Sequence, residues 1–277
     1  MIYSLKIGII AWLLNEIQKL YLMKKLLHYS IYTIALFCVL VACTSTPKLQ
    51  KVETTMLELN SKTVEPTDSS FIKTVLPYKT KMDSIMNEVL GTSEQALLKG
   101  LPEGTLGDFV SDAVLKKTND VYKPADNIKA DICLLNNGGL RSQLPKGKLT
   151  LGNIFELMPF ENEIVILTLS GEKTKQLFES LVENNGAPFS GAVVKGKGKK
   201  MTELTIGGKA FEVTKTYKVA TSDYLAGGGD KYYFFSAPIK VDTLKYKLRD
   251  AIVDYIKEEN KKGNTIKVSI DGRIKYE

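Results

Sequence analysis

From Val52 onward the chain alternates short apolar runs with helical stripes and never breaks into a Pro/Gly/Ser-rich linker. Strands and helices interspersed in this way, with no internal repeat, must share one packed unit. The spacing predicts a strand over Val52–Leu59. A helix follows over Met82–Leu90, with Met82, Ile85, Met86, Val89 and Leu90 on one stripe. A second helix opens over Thr105–Leu115, carrying Leu106, Phe109, Val110, Ala113 and Val114. Asp131–Leu135 reads as a short buried strand that runs into Asn136-Asn137-Gly138-Gly139. Next come a helix over Leu151–Leu157 that ends at Pro159, a strand over Glu163–Leu169 closed by Ser170-Gly171, and a helix over Lys173–Val182. Antiparallel signals occupy Leu204–Ile206, the Gly207-Gly208 turn, Phe211–Val213 and Tyr217–Thr221. A last long helix is expected over Asp242–Lys257, and a closing strand over Thr265–Ile270. The expected fold is α+β: a single domain over residues 51–277 with a mixed sheet and packed helices.

The N-terminal region stands apart. Lys24-Lys25 precede an uncharged apolar run from Ile31 to Ala42, which ends in Leu40-Val41-Ala42-Cys43 and is followed by Thr44-Ser45-Thr46-Pro47. A basic start, a short apolar middle and a small residue before a cut describe a secretory signal peptide. The run falls short of the roughly 20 residues of a membrane-spanning helix. The Leu-Val-Ala-Cys ending resembles the bacterial lipobox, which makes Cys43 the expected lipid-attachment site. Residues 1–42 are then a leader and 43–50 a tether, and the chain is expected on an extracytoplasmic face of a bacterial envelope, held to the membrane through Cys43. A plain signal anchor with a chance cysteine is the second reading. Met23-Lys24-Lys25 resembles an ordinary lipoprotein start, which places the expected true start at Met23. Upstream of it, Asn15, Glu16, Gln18 and Lys19 interrupt the apolar stretch and argue against a second span.

Charge and residue usage exclude several functions. The formal net charge is +7, but only Arg141, Arg249 and Arg273 are arginines. Without residues 1–42 the balance falls to 34 basic against 30 acidic residues, or +4. Nucleic-acid readers concentrate Arg and Lys on one face. Here lysines alternate with acids, so no nucleic-acid partner is expected. The cluster Lys195-Gly196-Lys197-Gly198-Lys199-Lys200 reads as an exposed, mobile loop. Beyond the leader only Cys43 and Cys133 remain, which rules out a disulfide framework and a cysteine-based zinc site. The only histidine is His28, within the leader. Serine and cysteine nucleophiles that rely on a histidine base are excluded on that count. So is a two-metal phosphatase centre, which needs several histidines and carboxylates.

Three segments together carry a resemblance. Leu106-Gly107-Asp108-Phe109-Val110-Ser111-Asp112-Ala113 is similar to the L-G-N-L-I-A-D-A helix of the 5′-nucleotidase and UDP-sugar hydrolase family. Asn136 to Arg141, Gly147, Leu151 to Glu156 and Met158-Pro159-Phe160-Glu161-Asn162 follow that family's N-[SG]-G-G-I-R to P-F-x-N pattern almost step for step. Thr221 to Asp230 resembles T-N-x-F-[LI]-A-x-G-G-D. Their order and spacing resemble the C-terminal, substrate-binding domain of that family, and the elements from about 52 to 275 are compatible with it.

The resemblance implies a nucleotide pocket. Phe160 and Tyr224 match the two aromatics that sandwich the base, and Asn162 the residue that hydrogen-bonds its edge. Arg141 matches an arginine that reaches ribose or phosphate, and Asp230 an acceptor for ribose hydroxyls. Asn137, Gly138 and Gly139 form the turn that lets backbone approach the ligand. Each residue alone has a plainer structural reading; jointly, in family order, they favour the pocket. One departure concerns phosphate: the family's further arginines ahead of the first helix are missing, and Gly91–Gly104 holds only Lys99. The implied function is nucleoside or nucleotide binding, as the specificity subunit of a split phosphohydrolase. The expected partner is a separately encoded metallophosphatase that carries the divalent metals, this chain holding none and being inactive alone. The alternatives are a stand-alone nucleotide-binding lipoprotein and a purely structural or adhesive role.

Overall fold

The computed structural model describes residues 2–41 and 69–277, which fall in two units divided between Pro66 and Thr67. In the first unit, Ile2–Val41 form helix α1, braced on its surface by a Lys19–Glu16 pair at 2.8 Å. Among the described residues no helix is long and apolar enough to cross a membrane. Cys43, the tether over 43–50 and the strand expected over Val52–Leu59 lie outside the described residues.

The second unit is built on a five-stranded sheet. Its strands are β2 (Ile132–Leu134), β4 (Glu163–Ser170), β5 (Phe189–Ser190), β9 (Thr216–Ser222) and β10 (Lys240–Lys247), in the order β10-β4-β9-β2-β5. Only β2 and β9 run parallel; the other neighbours are antiparallel. Side chains alternate across a strand, and here the two faces feed two separate cores. Cys133, Ile164, Ile166 and Ala220 point to one side. Ile132, Leu134, Val165, Leu167 and Val219 point to the other. Burial on both faces explains why β4 reads as a continuous apolar run.

Helices α3 (Thr105–Val121) and α7 (Leu248–Lys261) cover the first face, with Phe109 edge-on to Tyr255 at 6.0 Å between ring centroids. The second face carries α5 (Gly171–Glu183) and a four-stranded sheet of β6 (Ala192–Lys197), β7 (Lys200–Ile206), β8 (Lys209–Ala210) and β11 (Ile274–Tyr276). β1 (Val89–Ser93) and β3 (Gly147–Thr150) form a small ribbon beside α7, and α2 (Ser69–Met86) packs against α4 (Leu151–Leu157). α6 (Asp223–Ala226) is a single turn after β9.

Local chemistry sets these boundaries. Thr150 caps α4 in a reciprocal box with Asn153. Ser170 caps α5 by accepting from Lys173 N. Gly171 is required there, because a Cβ would sit 2.2 Å from the Val213 carbonyl oxygen.

Five expectations are corrected. The helix expected through Leu90 stops at Met86, because Val89 and Gly91 pair with Thr150 and Leu149 of β3. The helix expected from Asp242 starts at Leu248; residues 240–247 complete the sheet beside β4, a pairing that overrides their helical spacing. Thr265–Ile270 holds one bridge, Ser93 to Ile266, and the closing strand is β11 beside β6. Phe211–Val213 lies past the end of β8. The lysine cluster at 195–200 is no mobile loop but the β6–β7 hairpin, tipped by Gly198 at φ +59°, with Lys195 held by Glu203 at 2.6 Å.

Candidate functional site

The sheet topology brings three distant segments to one edge. Asn136–Arg141 leaves the C-terminal end of β2, and Asp223–Asp230 leaves that of β9, its parallel neighbour. Met158–Asn162 enters the N-terminal end of β4, which is antiparallel to β9, so that Ile164 lies opposite Ser222. The C-terminal end of β10 reaches the same edge, where Lys247 pairs with Glu163, and α7 starts there. Loops at the carboxyl ends of adjacent strands are where α/β folds commonly hold ligands.

These loops enclose a cleft of about 620 Å³, the size of an ordinary small-molecule site. Leu135, Met158 and Leu248 supply its apolar lining. Gly138, Gly139, Arg141, Phe160, Asn162, Tyr224 and Asp230 also line it, seven of the eight predicted binding residues. Phe160 is 46% exposed and Tyr224 50% exposed, although both are large rings on a folded wall. A burial argument alone would place such rings inside.

Asp230 organises one side of the cleft. Its Oδ1 accepts from the Tyr224 hydroxyl at 2.8 Å and its Oδ2 from Asn136 Nδ2 at 2.5 Å. The hydrogen bond to Asp230 raises the Tyr224 phenol above its usual range. The turn that delivers Asp230 is left-handed, with Gly228 at φ +91° and Asp230 at +51°. Gly229 has no room for a side chain, since a Cβ would meet the Tyr224 ring at 2.5 Å. On the opposite loop, Gly139 N donates to Asn136 O at 3.2 Å, closing a tight turn. A Cβ at Gly139 would lie 2.7 Å from Asn136 Oδ1. Arg141 is exposed, and its guanidinium donates to the Gly138 carbonyl at 3.3 Å.

The Met158–Asn162 loop is clamped from α7. Arg249 is 5% exposed; its guanidinium lies 3.9 Å from the Phe155 ring centroid and donates to the carbonyls of Met158 and Pro159 at 3.3 and 3.4 Å. Glu161 accepts from both Lys247 and Arg249, and these hydrogen bonds, Lys247 first, hold its carboxyl down to about 2. Leu248 N donates to Asn162 O at 3.0 Å. None of Lys247, Leu248, Arg249 or Glu161 was singled out by sequence reasoning. The available signal was Arg249 itself, one of only three arginines in the chain.

Asn137 is the residue the fold does not bring to the cleft. It borders a void of about 10 Å³, together with Pro102, Glu103, Asp108 and Arg273. Lys99 borders that void as well, not the cleft. Asp108 is 2% exposed; its Oδ1 lies 3.3 Å from Arg273 Nε, and its Oδ2 has no hydrogen-bond partner among the described residues. Desolvation lifts its carboxyl to about 7 against the opposing charge of Arg273, and the neighbouring Glu103 adds to the rise. Among the described residues no group of three His, Cys, Asp or Glu side chains is placed to hold a metal ion.

The open cleft, with two exposed rings, an amide and a carboxylate that accepts two hydrogen bonds, is mounted on the loop edge of an α+β sheet. The chain belongs to the family described as 5′-nucleotidase, C-terminal domain, whose model matches residues 89–237. It is 29% identical over 219 residues to the trifunctional nucleotide phosphoesterase protein YfkN of Bacillus subtilis, covering 72% of this chain and 14% of that protein. It is 28% identical over 131 residues to the protein UshA of Yersinia enterocolitica, covering 45% of this chain and 22% of that protein. Among solved structures, the 5′-nucleotidase precursor of Thermus thermophilus superposes with a TM-score of 0.62 at 24% identity, over 76% of this chain and 43% of that one. The chain thus spans well under half the length of these relatives. The mixed α/β architecture is that of the family's C-terminal domain, and family membership is consistent with nucleotide binding.

Proposed function

We propose that this chain binds nucleosides and nucleotides as the specificity half of a split 5′-nucleotidase-type phosphohydrolase. The observation that carries this reading is the convergence of Phe160, Tyr224, Asn162 and Asp230 on one cleft from separate loops. Two exposed rings offer faces to a flat base, and stacking contributes about 1–3 kcal/mol per base. Asn162 offers an amide to the base edge. Asp230, fixed by Tyr224 and Asn136, keeps lone pairs for ribose hydroxyls. Arg141 also lines the cleft, and in this reading its guanidinium meets ribose or phosphate.

Phosphorus chemistry falls in this reading to a separately encoded metallophosphatase that holds the divalent metals and activates water. Anchoring through an acylated Cys43 places the complex on the extracytoplasmic side of a bacterial membrane. The test is reconstitution. This chain and a candidate metallophosphatase are assayed for AMP hydrolysis separately and together, and adenosine and AMP binding to this chain is measured by calorimetry. Binding by this chain with metal-dependent hydrolysis only in the mixture is the expected result. Hydrolysis of AMP by this chain unaided overturns the reading.

A further inference from the structure

The Asn162 amide is held in one orientation. Its Nδ2 donates to Asp223 Oδ1 at 2.8 Å, and the same oxygen accepts from the Tyr224 backbone N–H at 2.7 Å. An ionised carboxylate only accepts hydrogen bonds, whereas an amide presents a donor at one end and an acceptor at the other. The acceptor-only partner therefore decides which end is which: the nitrogen must face Asp223. The backbone donor at the start of α6 pins that carboxylate in turn. Asn162 Oδ1 accepts from no donor among the described residues, and Asn162 lines the cleft. Leu248 N holds the main chain of Asn162 from the other side, so the whole residue is fixed at both ends.

We infer that Asp223 sets the base preference of the cleft: by locking the Asn162 amide, it makes the cleft favour a base edge that carries an amino group over one that carries a keto group. This rests on the nucleoside-binding reading above. A freely turning amide would serve either edge by exchanging its ends. A locked one, with the ring slot and the Asp230 side already placed, serves one pattern in that pose. The freed group is the carbonyl oxygen, which pairs with the exocyclic amino group of adenine or cytosine. The corresponding oxygen of a 6-keto purine or of uracil is itself an acceptor. Asp223 is a positioning residue here, acting through Asn162.

The experiment measures calorimetric affinities of the full chain for adenosine, inosine, cytidine and uridine, and repeats them with Asp223→Ala and Asp223→Ser. In the unmodified protein adenosine is expected to bind about 10-fold more tightly than inosine, and cytidine more tightly than uridine, as one neutral hydrogen bond in a half-exposed site allows. In Asp223→Ala no side-chain acceptor faces Asn162 Nδ2, so the amide can exchange its ends and the adenosine-to-inosine ratio is expected to fall to about 2 or below. Asp223→Ser, whose hydroxyl can donate or accept, gives the same result, and both variants are checked by melting temperature. Equal affinity for adenosine and inosine in the unmodified protein overturns the inference and leaves the nucleoside reading standing. An unchanged ratio in both folded variants also overturns it. Failure to bind any of the four nucleosides overturns the reading and the inference together.

Discussion

Replacing Asp108 with asparagine changes one atom of the side chain and isolates one electrostatic conflict. Asp108 is buried on α3, with one oxygen beside the Arg273 guanidinium and the other unpaired. Arg273 cannot compensate it fully, because Asp112 at 3.0 Å and Asp271 at 2.8 Å draw on the same guanidinium. The carboxyl is accordingly raised to about 7 by desolvation, against about 3.9 in an unfolded chain. Between those values the folded protein holds a proton that the unfolded chain has lost. Stability from this group is complete below about pH 4 and drains away as pH rises towards 7, by up to about 1.4 kcal/mol per pH unit. Asparagine carries no charge to bury. Between pH 5 and pH 8 the unfolding free energy of Asp108→Asn should therefore gain about 3 kcal/mol relative to the unmodified protein. At pH 8 the variant should be the more stable of the two. Urea unfolding followed by far-ultraviolet circular dichroism at unit pH steps measures this difference, and groups that do not interact with Asp108 cancel from it. A difference that does not change with pH, or a variant that is the less stable at pH 8, would show that Arg273 keeps Asp108 ionised and would refute the reasoning.

Other perturbations act on the cleft. Tyr224→Ala should weaken adenosine binding about 5- to 150-fold, the range of a lost stacking partner, whereas Tyr224→Phe, which keeps the ring and loses the bond to Asp230, should cost under about 5-fold; equal losses in the two would assign the effect to the hydroxyl. Gly229→Ala should displace the Tyr224 ring and press on the Tyr224 carbonyl, since the new methyl would lie 2.5 and 2.7 Å from them, and should lower both nucleoside affinity and melting temperature; unchanged affinity in the folded variant would show that the ring takes no part in binding. Arg249→Met removes the donors to the Met158 and Pro159 carbonyls and should cost about 1–3 kcal/mol of stability, the range for polar groups left unpaired; a loss under about 0.5 kcal/mol in urea unfolding would deny the clamp. Glu161 is held low by Lys247 and Arg249, so its contribution to stability is present above the ordinary glutamate range and is lost as pH falls from there towards 2; an unfolding free energy whose difference from that of Glu161→Gln does not change between pH 6 and pH 3 would contradict that pairing.

The parts of the fold legible in the sequence were those in which local chemistry and tertiary environment agree. The helix expected over Leu151–Leu157 has those bounds in the structure, where Thr150 and Asn153 form its cap and Pro159 follows its end. The run Glu163–Leu169 was predicted as a strand, because a run apolar on both faces has one stable place in a sheet. Val89 and Leu90 were misplaced, because apolar residues next to each other fit either period and only the partner strand β3 decides between them. The Asp242–Lys247 segment carried a visible two-residue spacing in Leu244 and Tyr246, but it runs without a break into the stripe of α7, and the boundary depends on β4. In the cleft, the motifs supplied seven of its lining residues, and the topology explains why such distant motifs converge. Asn137 was beyond reach, because which face of a turn looks outward is set by how the chain leaves β2. Arg249 was equally hidden, since an arginine inside the helix expected over Asp242–Lys257 reads as a solvent-exposed one until the Met158 and Pro159 carbonyls are seen beside it.

The loop that presents Phe160 and Asn162 is held by residues 247–249, whereas the family match closes at residue 237. An excised fragment trimmed to the matched segment would therefore keep every motif of the cleft and discard its brace. Any transplant of this cleft onto another scaffold, or any minimal version made for screening, has to carry the sequence through the end of α7, or the ring and the amide will be delivered on an untethered loop.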